Sequence, residues 1–134
     1  METYDVFISY SHKSDEIAKK IQSNLVKNRF RVFIDSATDY GISIPSEIRK
    51  GLKSSRHIVC LMTDDWIKSA YCQLELDTGI MNDPAAKQRK IIPLLLQKGI
   101  EIPEDLKRIK YLDFTEWTTN FKKLITELKR AITP

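Results

Sequence analysis

A chain of 134 residues, 42% hydrophobic and 30% charged, is sized for one globular domain with a core of its own. Every apolar run falls far short of the ~20 residues that span a bilayer, and the polar start Met1-Glu2-Thr3-Tyr4-Asp5 is no signal peptide. The expected compartment is therefore the cytoplasm, with no membrane partner. The formal net charge of +4 comes mostly from basic residues scattered on helix faces, such as Lys122, Lys123, Lys129 and Arg130, without interleaved aromatics, so no nucleic-acid partner is expected. Cys60 lies in an apolar run and Cys72 in a predicted helix, which reads as buried free thiols. His12 and His57 make no metal-spaced set with them, so no metal site is expected.

Tyr4-Asp5-Val6-Phe7-Ile8-Ser9-Tyr10 reads as a first strand, its consecutive apolar β-formers suiting burial on both faces. Ser11-His12-Lys13-Ser14 is a polar turn. Ser14 is placed to cap a helix that turns Ile17, Ala18, Ile21 and Leu25 inward and ends near Asn28. Residues 31–35 form a second strand. A loop over 36–43 follows, with Gly41 as its turn residue, and Pro45 opens a short helix through Leu52. Residues 56–62 are a third, continuously apolar strand.

Ser69 is a suitable N-cap for the next helix, expected to run to about Met81. Ile67, Ala70, Tyr71, Leu74 and Met81 lie on or near one stripe of it. Glu75 sits beside that stripe, one turn beyond Tyr71, so carboxylate and phenol share a side. Thr78 and Gly79 leave room next to Glu75, at a cost of about 1 kcal/mol for a glycine in mid-helix. The structural alternative is a partly buried Glu75 that makes one hydrogen bond. Residues 90–96 read as a fourth strand, in which Pro93 must sit where no ladder bond is needed. A short helical turn near 104–106, an edge strand over 111–114 and a final helix over 117–132 complete the chain. Phe121, Leu124, Ile125, Leu128 and Ile132 supply the stripe of that last helix.

Strands alternating with helices call for an open parallel sheet with helices on both faces. The expected fold is α/β, a flavodoxin-like five-stranded parallel sheet ordered 2-1-3-4-5, spanning residues 1–134 as a single domain or a fragment of a larger protein. In such sheets ligands bind at the carboxyl ends of the strands, beside the point where strand order reverses. That rule selects the loop after strand 1 and the loop after strand 3, which leads into the helix carrying Glu75. No glycine-rich fingerprint follows strand 1 and no Walker motif occurs, so nucleotide binding in those manners is excluded. Asp5 and Asp35 do not make the acidic cluster of a receiver domain. A glutamate beside an aromatic ring and hydroxyls suits gripping a ribose and answering positive charge as a glycosidic bond breaks.

Tyr4-Asp5-Val6-Phe7-Ile8-Ser9-Tyr10-Ser11, then Val32-Phe33-Ile34-Asp35 with a loop containing Gly41, resemble the first box, second strand and BB loop of Toll/interleukin-1 receptor (TIR) domains. Ile58-Val59-Cys60-Leu61-Met62-Thr63 with Trp66, Ser69, Tyr71-Cys72 and Glu75-Leu76 resembles that family's third strand and its Ser-x-Trp-Cys-x-x-Glu-Leu signature. Phe114 and Trp117 are loosely similar to the third box. The resemblance covers essentially the whole chain. Tyr71 stands where Trp is usual, and Ile42 follows Gly41 in place of the Arg-Asp-x-x-Pro-Gly form of receptor adaptors. The first keeps a ring and alters its stacking area; the second argues against the receptor-adaptor branch and leaves the bacterial or enzymatic one open.

The resemblance implies an NAD⁺ glycohydrolase that releases nicotinamide and leaves ADP-ribose or a cyclised variant, in immune or anti-phage signalling. NAD⁺ would be substrate, with no further cofactor. Glu75 would be the catalytic carboxylate, and Tyr10, Ser11, Ser43 and Tyr71 substrate contacts. Three of these contacts have a structural alternative: Tyr71 as core, Ser11 as a helix-entry turn, Ser43 as a cap for the helix at Pro45. The resemblance also implies a homo-oligomer when active, other TIR domains completing the site through Gly41, Ile42 and Ile44 of the BB loop. Two other readings stay open, a TIR interaction module that catalyses nothing and a nucleotide sensor without turnover, and incubation with NAD⁺ separates them from the enzyme.

Overall fold

Unbroken apolar runs force the strands into the middle of the molecule, because such a strand has no face that water can solvate favourably. The computed structural model describes residues 4–37, 54–68, 90–107 and 109–132. The elements are β1 (Tyr4–Ser11), a 3₁₀ turn (His12–Ser14), α1 (Asp15–Lys27), β2 (Val32–Ala37), β3 (Ser55–Met62), α2 (Asp64–Lys68), β4 (Ile91–Leu95), α3 (Glu104–Lys107), β5 (Leu112–Asp113) and α4 (Trp117–Ile132). The five strands form one parallel sheet ordered β2-β1-β3-β4-β5, the order expected from the alternation of elements.

Strand alternation splits the core in two. Val6, Ile8, Tyr10, Val59, Leu61, Ile92 and Leu94 face α1 and α4, where Ile17, Ile21 and Leu25 meet Leu124, Ile125, Leu128 and Ile132. Phe7, Ile58, Cys60, Met62 and Ile91 face the other way, against Trp66 of α2 and Leu106 of α3. Cys60 is buried, its Sγ 4.0 Å from Ile58 O; Cys72 lies outside the described residues.

Pro93 is accommodated by the parity of the ladder. Ile58 N–H donates to Lys90 O and Leu96 N–H to Met62 O, so even-numbered residues of this stretch face β3. Leu95 O accepts from Phe114 N–H, so odd-numbered residues face β5. The ring nitrogen of Pro93 therefore points to the β5 side, just ahead of the short pairing Leu94↔Leu112 and Leu95↔Asp113. No ladder donor is lost there.

One local feature differs from the sequence reading and a second adds to it. Ser14 makes no side-chain cap bond; the chain enters α1 through a 3₁₀ turn whose cap is Ser11. The first helical turn after β3 begins at Asp64, ahead of Ser69, because Thr63 Oγ1 accepts from Trp66 N–H at 3.2 Å. Ser69 and the helix expected beyond it lie outside the described residues, as does the helix expected at Pro45.

At its other end α1 closes without glycine. Phe30 N–H donates to Leu25 O at 3.0 Å and Arg29 N–H to Val26 O at 3.1 Å. Arg29 takes φ +70° to allow it. This is the Schellman pattern, with Phe30 folded back onto the cluster that holds Leu25.

Candidate functional site

The carboxyl ends of β1 and β3 lie side by side, and the chain reverses across the sheet between them. Folds of this kind receive their ligands beside that point. The described wall there comes from Ser9 to Lys13 and from Thr63 to Lys68.

Tyr10 turns toward α1 and is 3% exposed, so its ring is core. Its hydroxyl donates to Asp15 Oδ1 at 3.0 Å. Lys19, which pairs with Asp15 at 2.9 Å, and Tyr10 together hold the Asp15 carboxyl below its ordinary value. Ser9 and Ser11 fall on the opposite face by the two-residue alternation. Ser11 is 5% exposed, and its Oγ accepts from Lys13 N–H at 3.4 Å, the helix-entry arrangement. Ser9 Oγ accepts from the indole N–H of Trp66 at 2.9 Å in a fully buried contact.

That last bond is the central tie of the wall. It fastens α2 to β1 across the switch point. Two further contacts fix the same helix: Asp64 N–H donates to Gln97 Oε1 at 3.0 Å, from the loop after β4, and Lys13 Nζ pairs with Asp65 at 3.4 Å, from the turn after β1. Asp64 also pairs with Lys68 at 2.8 Å, which raises the Lys68 ammonium above its ordinary value. Both ion pairs are largely exposed to solvent, which screens them, so they contribute little. The indole bond and the burial of Trp66 contribute more.

The described wall thus holds the buried hydroxyls of Ser9 and Ser11 and two ion pairs, and the chain leaves it at Lys68. Its carboxylates Asp64 and Asp65 are both engaged with lysines. Glu75, Tyr71, Ser43, Gly41, Ile42 and Ile44 lie outside the described residues. Tyr10 and Ser11 come together at the end of β1, one facing α1 and one facing α2. Sequence reasoning did not assign roles to Ser9, Thr63 and Gln97. Thr63 had a legible signal, a capping residue directly after a strand and before two acids; Ser9 and Gln97 had none. Among the described residues no group of three or more His, Cys, Asp or Glu is placed to hold a metal ion. None of the described helices is long and apolar enough to cross a membrane.

Comparison with known proteins agrees with this architecture. A protein of Methanobrevibacter olleyae named "Probable 2' cyclic ADP-D-ribose synthase TcpO" is 29% identical over 100 residues, covering 73% of this chain and 29% of that protein. The "NAD(+) hydrolase tir-1" of Caenorhabditis elegans is 24% identical over 139 residues, covering 88% of this chain and 13% of that one. The chain therefore spans less than a third of either relative. The crystal structure of the TIR domain of the Toll-related receptor TRR-2 from Hydra magnipapillata superposes with a TM-score of 0.73 at 23% identity, covering 97% of this chain and 98% of that domain. That likeness is one of fold. A family model described as the TIR domain matches residues 6–125, most of the chain, and the chain belongs to that family.

Proposed function

We propose that this TIR domain cleaves the bond between nicotinamide and ribose in NAD⁺. The observation that carries the reading is that two relatives, aligned over 73% and 88% of this chain, are named for cyclic ADP-ribose synthesis and NAD⁺ hydrolysis respectively. The crevice at the switch point is where a fold of this kind receives a ligand. The wall described above leads at Lys68 into the sequence Ser69-Ala70-Tyr71-Cys72-Gln73-Leu74-Glu75.

In the proposed reaction Glu75 accepts hydrogen bonds from the ribose hydroxyls next to the reacting carbon. The C1′–N bond breaks, nicotinamide leaves neutral with the electron pair, and positive charge develops on the ribose. The carboxylate opposes that charge, so its contribution is largest in the transition state. Water then adds to C1′ and loses a proton, giving ADP-ribose. A hydroxyl of the same molecule adding in its place gives a cyclic product. Ser43 and Tyr71 are proposed to touch substrate directly. Tyr10 and Ser11 are proposed at the end of β1, where Tyr10, with its hydroxyl on Asp15, serves as wall. Gly41, Ile42 and Ile44 are proposed to bring a second copy to the site, and the setting is cytoplasmic immune or anti-phage signalling.

The test pairs nicotinamide release with thermal melting for the wild type and Glu75→Gln at high protein concentration. The variant loses about 10²–10³ in rate while its melt is unchanged. A variant that cleaves NAD⁺ as fast as wild type removes Glu75 from the mechanism. A concentrated wild type that releases no nicotinamide turns the reading to a TIR interaction module.

A further inference from the structure

On the face of the sheet away from α2, α1 and α4 leave a broad groove of about 690 Å³, open to solvent. Its floor is aromatic, made by the partly buried rings of Trp117 and Phe121. The ammonium of Lys20 stands over both, 4.6 Å from the Phe121 centroid and 5.9 Å from that of Trp117. Lys27 adds positive charge along the α1 wall, Lys19 lines it while paired with Asp15 at 2.9 Å, and Glu16 is the acid that lines it with them. The groove shares no residue with the wall of the switch-point crevice.

We propose that this groove docks an acidic protein segment carrying one apolar anchor residue. Charge is the first reason. With Lys19 held by Asp15, Lys20 and Lys27 against one glutamate leave the lining net positive, and Lys20 is directed at rings rather than at a carboxylate. The rings are the second. Their attraction holds the Lys20 ammonium in place, so a carboxylate meets a cation whose side-chain freedom is already reduced. The uncovered ring surface beside it takes an apolar side chain, as buried aromatics do at the centre of protein interfaces.

Other occupants fit less well. A small molecule is held by a pocket that encloses most of its surface, and this groove is open. Single-stranded nucleic acid needs successive stacking platforms along a basic track, whereas here one ring pair stands alone among the lining residues. A second copy brings the same formal net charge of +4 against this basic face.

The experiment titrates the 134-residue chain with a glutamate-rich peptide bearing a central leucine and follows tryptophan emission. Trp66 is 1% exposed and gives a constant background, so the change reports Trp117. The expected result is a saturable change that weakens as salt rises. Lys20→Glu weakens binding roughly tenfold, as reversal of a close charge contact requires. Lys107→Glu, the same charge change away from the groove, weakens it by less than about twofold. Lys27→Glu replaces Lys20→Glu if the latter alters the melt, and Trp117→Phe must abolish the signal. Equal weakening by Lys20→Glu and Lys107→Glu, or no saturation, overturns the proposal. So does the same change in peptide-free protein as its sedimenting mass grows, which assigns the groove to a second copy. The same change with inorganic phosphate or ATP at lower concentration than the peptide overturns it in favour of a small-anion site.

Discussion

Replacing Trp66 with Phe tests whether α2 is held to β1 by the buried indole bond. Two losses add. The indole N–H no longer reaches Ser9 Oγ, a 2.9 Å contact buried on both sides, and a bond of that kind contributes about 1 kcal/mol. The smaller ring also leaves on the order of 40 Å³ unfilled around a residue that is 1% exposed, and at about 24 cal/mol per Å³ that costs roughly 1 kcal/mol more. The sum is about 2 kcal/mol. For 134 residues the unfolding entropy is roughly 0.28 kcal/mol/K, so Tm falls by about 7 °C. Ser9→Ala and the double variant complete a cycle that removes the cavity contribution and isolates the bond. Urea unfolding of all four proteins should yield a coupling of about 1 kcal/mol between the two positions. A coupling below about 0.3 kcal/mol would refute the tie, leaving Trp66 as packing alone.

Arg29 pays for a left-handed backbone that glycine adopts freely, so Arg29→Gly should raise stability by about 1 kcal/mol, read as a Tm rise of roughly 3–4 °C. Gly99 is the converse: its φ is +76° with open space around the added Cβ, so Gly99→Ala costs about 1 kcal/mol from the backbone alone and Gly99→Asn less, by thermal melting. Side-chain and backbone hydrogen bonds from Thr115 hold the Asp113 carboxyl below its ordinary value of 3.8. A depressed carboxylate stabilises the fold above that value, and its contribution is lost as pH falls through the lower folded one. Thr115→Val should therefore flatten the decline of Tm on the acid side of 3.8, and an unaltered acid limb counts against the assignment. If two copies complete the proposed site, NAD⁺ cleavage rises faster than linearly with protein concentration and Gly41→Pro reduces it; constant specific activity on dilution rules the second copy out.

The strand order was legible because each strand is an unbroken apolar run and parallel strands need crossover helices, which leaves few ways to close the core. The inward stripes of α1 and α4 were legible for the same reason: Ile17, Ile21 and Leu25, or Leu124, Leu128 and Ile132, repeat at helical spacing and are buried. The switch point followed from order alone. The wall of the crevice did not. Tyr10, expected among the substrate contacts, is 3% exposed with its ring among the α1 and α4 residues, because alternation along β1 and the path of α1 decide its direction. Ser9 becomes the acceptor for Trp66 across 57 positions of sequence, a pairing that exists only once β1 and β3 are adjacent. Ser11 displaced Ser14 as the cap because a 3₁₀ turn intervenes. Arg29 closes α1 in a conformation usually given to glycine, where the return of Phe30 onto Leu25 outweighs the backbone cost. Periodicity is a property of neighbours along the chain, so it could be read directly; a polar partner is chosen by whichever group packing brings within about 3 Å, and that choice is made by the tertiary fold.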